Sequence, residues 1–164
     1  MARITTMPDF MLTPVWIWDL NQQVGWGLTN RRDDVMLVQT ALNRVMKQLQ
    51  LGDSRKTPAS GPLGPVYPDL GYLTPDGIFG NETYNAIGTY QRLVGPSDGV
   101  VDPIYKMFIN LGGDPIGAQL MAYTKANQRT MYRLNKHHLQ IYGRMMSEDD
   151  FPPELRGAVA RSNS

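Results

Sequence analysis

The feature that most constrains this chain is a pair of related strings. Asp76-Gly77-Ile78-Phe79-Gly80-Asn81-Glu82-Thr83 is followed by Asp98-Gly99-Val100-Val101-Asp102-Pro103. Each reads as a tight Asp-Gly turn, two apolar residues, a breaker and a helix start. Glycine takes positive φ without a Cβ clash, and aspartate bonds the backbone just ahead of it. Gly80 is expected to let the chain pivot, with Asn81 or Thr83 capping the helix that follows. Pro103 suits a first helical turn, where its missing N–H leaves nothing unpaired. Two such units predict a compact helical module. On this reading Asp76, Gly77, Phe79, Gly80, Thr83 and Gly99 carry turn geometry rather than chemistry.

Apolar periodicity places the helices around these turns. Val35, Val38, Leu42, Val45 and Leu49 fall at three-four spacing, predicting a helix over 31–51 with Asn30 as N-cap and Arg44 and Lys47 on its wet face. A second helix is expected over 81–94, burying Thr83, Ile87, Tyr90 and Val94, and a short third over 103–111. Between the first two, residues 52–75 hold five prolines and read as an insertion loop. A fourth, much longer helix is expected over 112–146, starting near Ile116. At about 1.5 Å per residue it would run some 45 Å and project from the core, offering Leu134, Ile141 and Met145 to a second copy or another protein. Residues 147–164 read as a flexible tail, with at most a helical turn near Glu154.

All three tryptophans lie in residues 1–28. Val15-Trp16-Ile17-Trp18 has strand composition, and Asn21-Gln22-Gln23 is placed to turn it back towards Val24 and Trp26. Pro8 and Pro14 argue against a helix. Two readings stand: an arm or hairpin pinned to the core by its indoles, or an aromatic platform for a sugar or a partner.

Composition removes several function classes. The net charge of +1, with no basic run, gives no footprint for nucleic acid. The absence of cysteine excludes disulfides, thiolate metal sites and cysteine nucleophiles. No apolar stretch is long enough to span a bilayer. His137 and His138 are the only histidines. Adjacent on a helix, they diverge by about 100° and do not grip one metal, and His138 is expected on the packed stripe with His137 in water. Asp33-Asp34 and Asp149-Asp150 are better explained by helix-end electrostatics than by acid-base work. No nucleophile elbow, zinc-binding helix motif or phosphate loop is present. The expectation is a non-enzyme with no metal and no cofactor.

The order helix, Asp-Gly-Ile-Phe-Gly-x-x-Thr, helix ending Tyr90-Gln91-Arg92, Asp98-Gly99-Val100-Val101, short helix resembles the peptidoglycan-binding-like domain family. The resemblance covers residues 29–111 and departs from the family pattern at Asn81, Thr89-Tyr90, Asp102 and Ile104-Tyr105. It implies an all-α, three-helix domain, here with an N-terminal aromatic arm and a long C-terminal helix. It also implies a shallow groove near the second helix and the two turns. Candidate groove residues are Asn81, Tyr84, Asn85, Gln91, Arg92 and Asp98, with Arg92 placed to meet a stem-peptide carboxylate. The implied partner is peptidoglycan or its fragments. The alternative class is a structural or adaptor component of a phage tail or contractile injection assembly. The N-terminus, Met1-Ala2-Arg3-Ile4-Thr5-Thr6, lacks the apolar segment of a secretory signal. The expectation is therefore cytoplasmic synthesis, with any route to the wall running through a virion or injection machine.

Overall fold

The computed structural model describes residues 3–8, 14–53, 73–94, 98–103 and 129–163. The elements are β1 (Arg3–Pro8), β2 (Pro14–Asp19), β3 (Val24–Gly25), α1 (Arg32–Asp53), α2 (Asn81–Val94), β4 (Val100–Val101), α3 (Thr130–Tyr142) and α4 (Pro153–Asn163), with a 3-10 turn at Glu148–Asp150. The fold is mostly helical with few strands. The greater part of the 52–75 insertion and of the expected short helix 103–111 lies outside the described residues.

α1 is the central element. Its predicted stripe, Val35, Val38, Leu42 and Val45, is buried, and so are Met36, Leu37, Ala41 and Met46 on its other sides. A helix buried on every side, as α1 is from Asp34 to Leu42, is one surrounded by its neighbours. Here they are α2, α3, α4 and β3. Arg44 is therefore half-buried rather than on a wet face. The start of α1 also differs from expectation. Asn30 does not cap it; its side chain turns back to the chain before it, as described below. Asp34, buried in the first turn, accepts hydrogen bonds from the Asn21 and Gln22 N–H groups at 3.0 Å each.

The N-terminal segment pairs differently from the expected hairpin. β2 runs antiparallel to β1, with Trp18 opposite Ile4 and Val15 opposite Met7. β3 pairs instead with β4, Val24 opposite Val101 and Gly25 opposite Val100. The turn at Asn21-Gln22-Gln23 thus carries the chain from one small sheet to another. Trp18 anchors β2: its indole N–H donates to the Met146 carbonyl at 2.7 Å, and its ring meets Phe151 edge-on at 4.6 Å. Asn135 on α3 accepts from the Trp18 N–H at 3.1 Å and donates to the Trp18 carbonyl at 2.9 Å, acting as a one-residue strand partner.

Among the described residues the expected 112–146 helix is interrupted rather than continuous. α3 starts at Thr130, because Arg129 before it is extended (φ −100°, ψ 124°). It ends at Tyr142, where Gly143 adopts φ 70° and its N–H closes on the Leu139 carbonyl. This is the left-handed stop that glycine permits. Residues 112–128 lie outside the described residues. Leu134 is fully buried in the chain's own core, with Ile141 and Met145 packed against it. The stripe assigned to a partner faces α1 and β2 instead. Residues 147–163 are likewise part of the body: Phe151 and Leu155 are each 1% exposed. The residue closing the 3-10 turn, Phe151, and one residue of the short helix α4, Leu155, fill a site beside α1 and Trp18, and this signal is too brief for periodicity to register.

A polar network ties the C-terminal end of α3, and the segment after it, to α1. His138 is fully buried; its Nε2 accepts from Arg44 Nε at 2.8 Å and its Nδ1 donates to the Arg144 carbonyl at 2.9 Å. Asp150 receives two hydrogen bonds from Arg144, at 2.8 and 2.9 Å, and a contact from Arg44 at 3.2 Å. The hydrogen bonds from Arg144 hold the Asp150 carboxyl well below the usual carboxylate range. His137 is half-buried rather than in water, its Nδ1 lying 2.5 Å from the Tyr90 hydroxyl. Burial pushes the Tyr90 phenol far up, so Tyr90 is the donor in that pair.

Candidate functional site

The two Asp-Gly turns are built alike, each locked by a buried glutamine from the preceding helix. Gln39 of α1 accepts from the Gly77 N–H at 2.9 Å and donates to Asp76 Oδ1, the Ile78 carbonyl and Thr83 Oγ1 at 3.0 to 3.2 Å. Gln91 of α2 accepts from the Gly99 N–H at 2.8 Å and donates to Asp98 Oδ1, the Val100 carbonyl and Thr130 Oγ1 at 2.9 to 3.2 Å. Each aspartate also accepts from the N–H two residues on, Ile78 in the first turn and Val100 in the second. Gly77 and Gly99 have φ of +76° and +73°.

This correspondence gives α3 the same contact with the second turn that α2 makes with the first. Thr83, the third residue of α2, and Thr130, the first of α3, fill the same place against their glutamines. The short helix expected directly after Pro103 lies almost wholly outside the described residues. Thr83 is buried and accepts from Gln39. A Cβ added at Gly80 would meet nothing within 4 Å, and its φ is not positive, so the pivot does not require glycine there.

The candidate groove residues separate into two groups. Gln91 is 1% exposed, and its amide is fully engaged by the second turn. It is a clamp, not a groove residue. Asp98 is exposed, but the same Oδ1 serves Gln91 and the Val100 N–H. Asn81, Tyr84, Asn85 and Arg92 are all exposed on α2. Helical spacing places Asn81, Tyr84, Asn85, Gly88 and Arg92 along one face, about 16 Å from end to end. Arg92 folds back on its own helix, donating to the Gly88 carbonyl and to Thr89 Oγ1 at 3.3 Å each. Its position at the last turn of α2 complements the helix dipole.

An open groove of about 290 Å³ lies at the start of this face, lined by Leu73, Thr74, Asp76, Ile78, Asn81 and Glu82 among others. Ile78, 68% exposed, forms its apolar wall. A second aromatic side chain stands beside Tyr84: the ring centroid of Trp26 lies 5.7 Å from that of Tyr84 and 6.4 Å from that of Phe79. Trp26 belongs to the N-terminal segment, and nothing in its local sequence places it at this turn; the β3–β4 pairing does. A wider cleft of about 620 Å³ lies between the start of α1 and α4. The Arg32–Glu154 ion pair at 2.5 Å sits within its lining. Among the described residues no group of histidine and carboxylate side chains is arranged to hold a metal, and no helix is long and apolar enough to cross a membrane.

Two glutamine-locked turns, the first leading into α2 and the second into β4, frame a helix with one polar, aromatic-tipped face. Residues 69–104 match the family model described as a putative peptidoglycan binding domain. The matched segment holds both turns and the whole of α2, so the resemblance read from the turn motifs holds there. The similarity is of this segment, within a chain of 164 residues, to a putative binding domain of helical class. Comparison with curated proteins and with solved structures gives no significant match.

Proposed function

We propose that the chain is a non-catalytic binding protein that attaches to bacterial cell-wall peptidoglycan through the exposed face of α2. The observation that carries this reading is the alignment of Asn81, Tyr84, Asn85 and Arg92 on that face within the matched segment. Glycan needs hydroxyl partners and an aromatic surface for the C–H side of a sugar ring. The asparagines and Tyr84 supply these, and the groove beside Ile78 gives the ligand a place to enter. The stem peptide carries carboxylates, for which the Arg92 guanidinium is a geometric match. The place of action is the outside of a bacterial cell, reached as part of a virion or an injection machine. The alternative, an adaptor component of a phage tail or injection assembly, has less apolar surface at its expected contact, since Leu134 is buried in the chain's own core and Ile141 and Met145 are partly buried against it.

Co-sedimentation of the purified protein with peptidoglycan sacculi tests the reading. Retention at low salt and at about 0.5 M salt, where surface charge is screened within a few ångströms, is the expected result. Loss of retention at both salts overturns it.

A further inference from the structure

Trp26 is 66% exposed, although tryptophan has the largest apolar surface of any side chain. It is not on a loose segment. The Leu28 N–H closes a turn on the Gly25 carbonyl at 3.3 Å. The Asn30 side chain accepts from the Gly25 N–H at 2.9 Å and donates to the Gly25 and Leu28 carbonyls at 2.8 and 3.0 Å. To do so Asn30 adopts φ +50°, a left-handed backbone that asparagine tolerates better than most residues. The start of the turn is paired to the second Asp-Gly unit, Gly25 opposite Val100. The chain thus spends a strained backbone and a complete side-chain amide on holding a solvated indole beside Tyr84.

We propose that Trp26 and Tyr84 form a two-ring stacking subsite for one pyranose ring of the wall glycan, with Trp26 the dominant contact. This rests on the peptidoglycan-binding reading above, and adds to it a residue outside the matched segment 69–104. The two rings are inclined at 63°. They form an angled seat rather than a flat sheet, which suits a puckered ring better than a planar one. The rim is polar: Asn81 and Asn85 flank Tyr84 on α2, and the Gly99 turn lies against the Tyr84 ring, a Cβ there standing 3.4 Å from Cε2. A pyranose has this pattern in reverse, an apolar C–H face bordered by hydroxyls.

A protein partner is disfavoured by size. Among the described residues the large exposed apolar side chains near these turns are Trp26, Leu28, Ile78 and Tyr84. A stable protein interface needs roughly 800 Å² on each side, about 20 residues or more. The subsite is continuous with the α2 face, so a glycan strand seated on Trp26 runs on towards Asn85, with its stem peptide directed to Arg92.

The test uses the full chain, whole sacculi, and soluble muropeptides released from them. Trp26→Ala is expected to weaken muropeptide binding about tenfold or more, as truncation of a central aromatic anchor does. Trp26→Phe is expected to restore most of it, because the ring and not the indole N–H makes the contact. The Trp26 indole N–H resonance, assigned by its absence in Trp26→Phe, is expected to shift on muropeptide addition. Thermal melts confirm that both variants fold; Trp26 contributes little to the core, so they are expected to match the parent. If the parent binds sacculi and muropeptides while Trp26→Ala binds equally well, the stacking subsite is wrong and the wall-binding reading stands. If Trp26→Phe binds as poorly as Trp26→Ala, ring stacking is likewise overturned. If the parent itself ignores both probes, the function reading has failed and the subsite falls with it.

Discussion

Gln39 and Gln91 hold the two Asp-Gly turns by the same four hydrogen bonds, one accepted from the glycine N–H and three donated to aspartate, backbone carbonyl and threonine. Each side-chain amide replaces a piece of secondary structure for a turn that has none of its own. Both are buried, at 2% and 1% exposure, so no water is at hand to replace either amide. Gln39→Ala and Gln91→Ala are each expected to destabilise the fold by about 2 kcal/mol, the usual penalty for leaving buried polar groups unpaired. Urea denaturation checks this. A loss below about 0.5 kcal/mol for either would mean that its turn is held by something else.

The two glycines are expected to differ. Both have left-handed φ, which costs a residue with a Cβ about 1–2 kcal/mol. At Gly77 a Cβ would also lie 2.6 Å from the Arg32 carbonyl oxygen, a backbone atom that cannot swing away. At Gly99 its nearest neighbour is a Tyr84 ring carbon at 3.4 Å, an ordinary contact. Gly99→Ala should therefore cost about the strain alone, and Gly77→Ala clearly more. Equal losses in paired thermal melts would remove Arg32 from the account.

Asn135 makes a prediction about how the N-terminal strands are attached. Its amide serves both the N–H and the C=O of Trp18, and also donates to the Met131 carbonyl at 2.8 Å. Asn135→Leu keeps the size and removes every one of these bonds, leaving two backbone groups of β2 without this partner. A loss of about 2–3 kcal/mol is expected. Trp18 fluorescence should report early release of β2; coincident transitions by fluorescence and circular dichroism would show that β2 unfolds only with the core.

Stability should fall on mild acidification, and the cause lies in two histidines. Burial pushes the His138 pKa down from 6.5, and the Arg44 charge adds to this against the opposing Arg144 carbonyl and Asp150. His137 is lowered too, by burial and then by Arg133 and Lys136. A histidine whose folded pKa is depressed takes up its proton more readily when unfolded. Its contribution is present above the unfolded pKa and is lost as pH falls below about 6.5. Asp150 acts lower down: its folded pKa is depressed from 3.8, so its contribution is complete above that value and is lost as pH falls further. Urea midpoints should drop between about pH 7 and pH 5, less steeply in His138→Gln, and again below about pH 4, less steeply in Asp150→Asn. A flat profile from pH 7 to 5 would contradict the buried neutral His138.

Much of this arrangement is legible in residue patterns, and the failures share a cause. The turns, α1 and α2 are legible because their signals are local: Asp-Gly pairs, and apolar residues at helical spacing. The stripe holding Leu134, Ile141 and Met145 is equally visible, but periodicity says only that a face is buried and not against what. From Asp34 to Leu42 α1 is buried on every side, so it packs against α3 and α4 as well as α2, and this absorbs the stripe that resembles an interface. Gln91 stands out in sequence as a polar residue near a groove; burial decides that it is a clamp, and its counterpart Gln39 lies too far from Asp76 in sequence to stand out. Trp26 reaches Tyr84 only through the pairing of β3 with β4, which is a tertiary contact with no local trace. Asn30 looks like a helix cap in sequence, and its left-handed backbone turns that amide towards Gly25 instead.

The face of α2 separates aromatic from ionic contributions to wall binding. Tyr84, 43% exposed, makes no ion pair, so Tyr84→Ala should weaken retention on sacculi by a factor that does not change with salt. Arg92 is exposed and acts through charge, so Arg92→Ala should weaken retention about threefold at low salt and little at about 0.5 M, where the Debye length is only a few ångströms. Asn85→Ala should fall between them, since a neutral hydrogen bond is less sensitive to screening than a charge pair. Gln91→Ala is the control: a residue of the framework should reduce binding only as far as it reduces the folded fraction, and binding per folded molecule should be unchanged. Salt-series sedimentation, corrected for folded fraction by circular dichroism, distinguishes these patterns. If Arg92→Ala and Tyr84→Ala lose binding in parallel at every salt, Arg92 does not act through charge; if neither loses any, the ligand does not lie along this face.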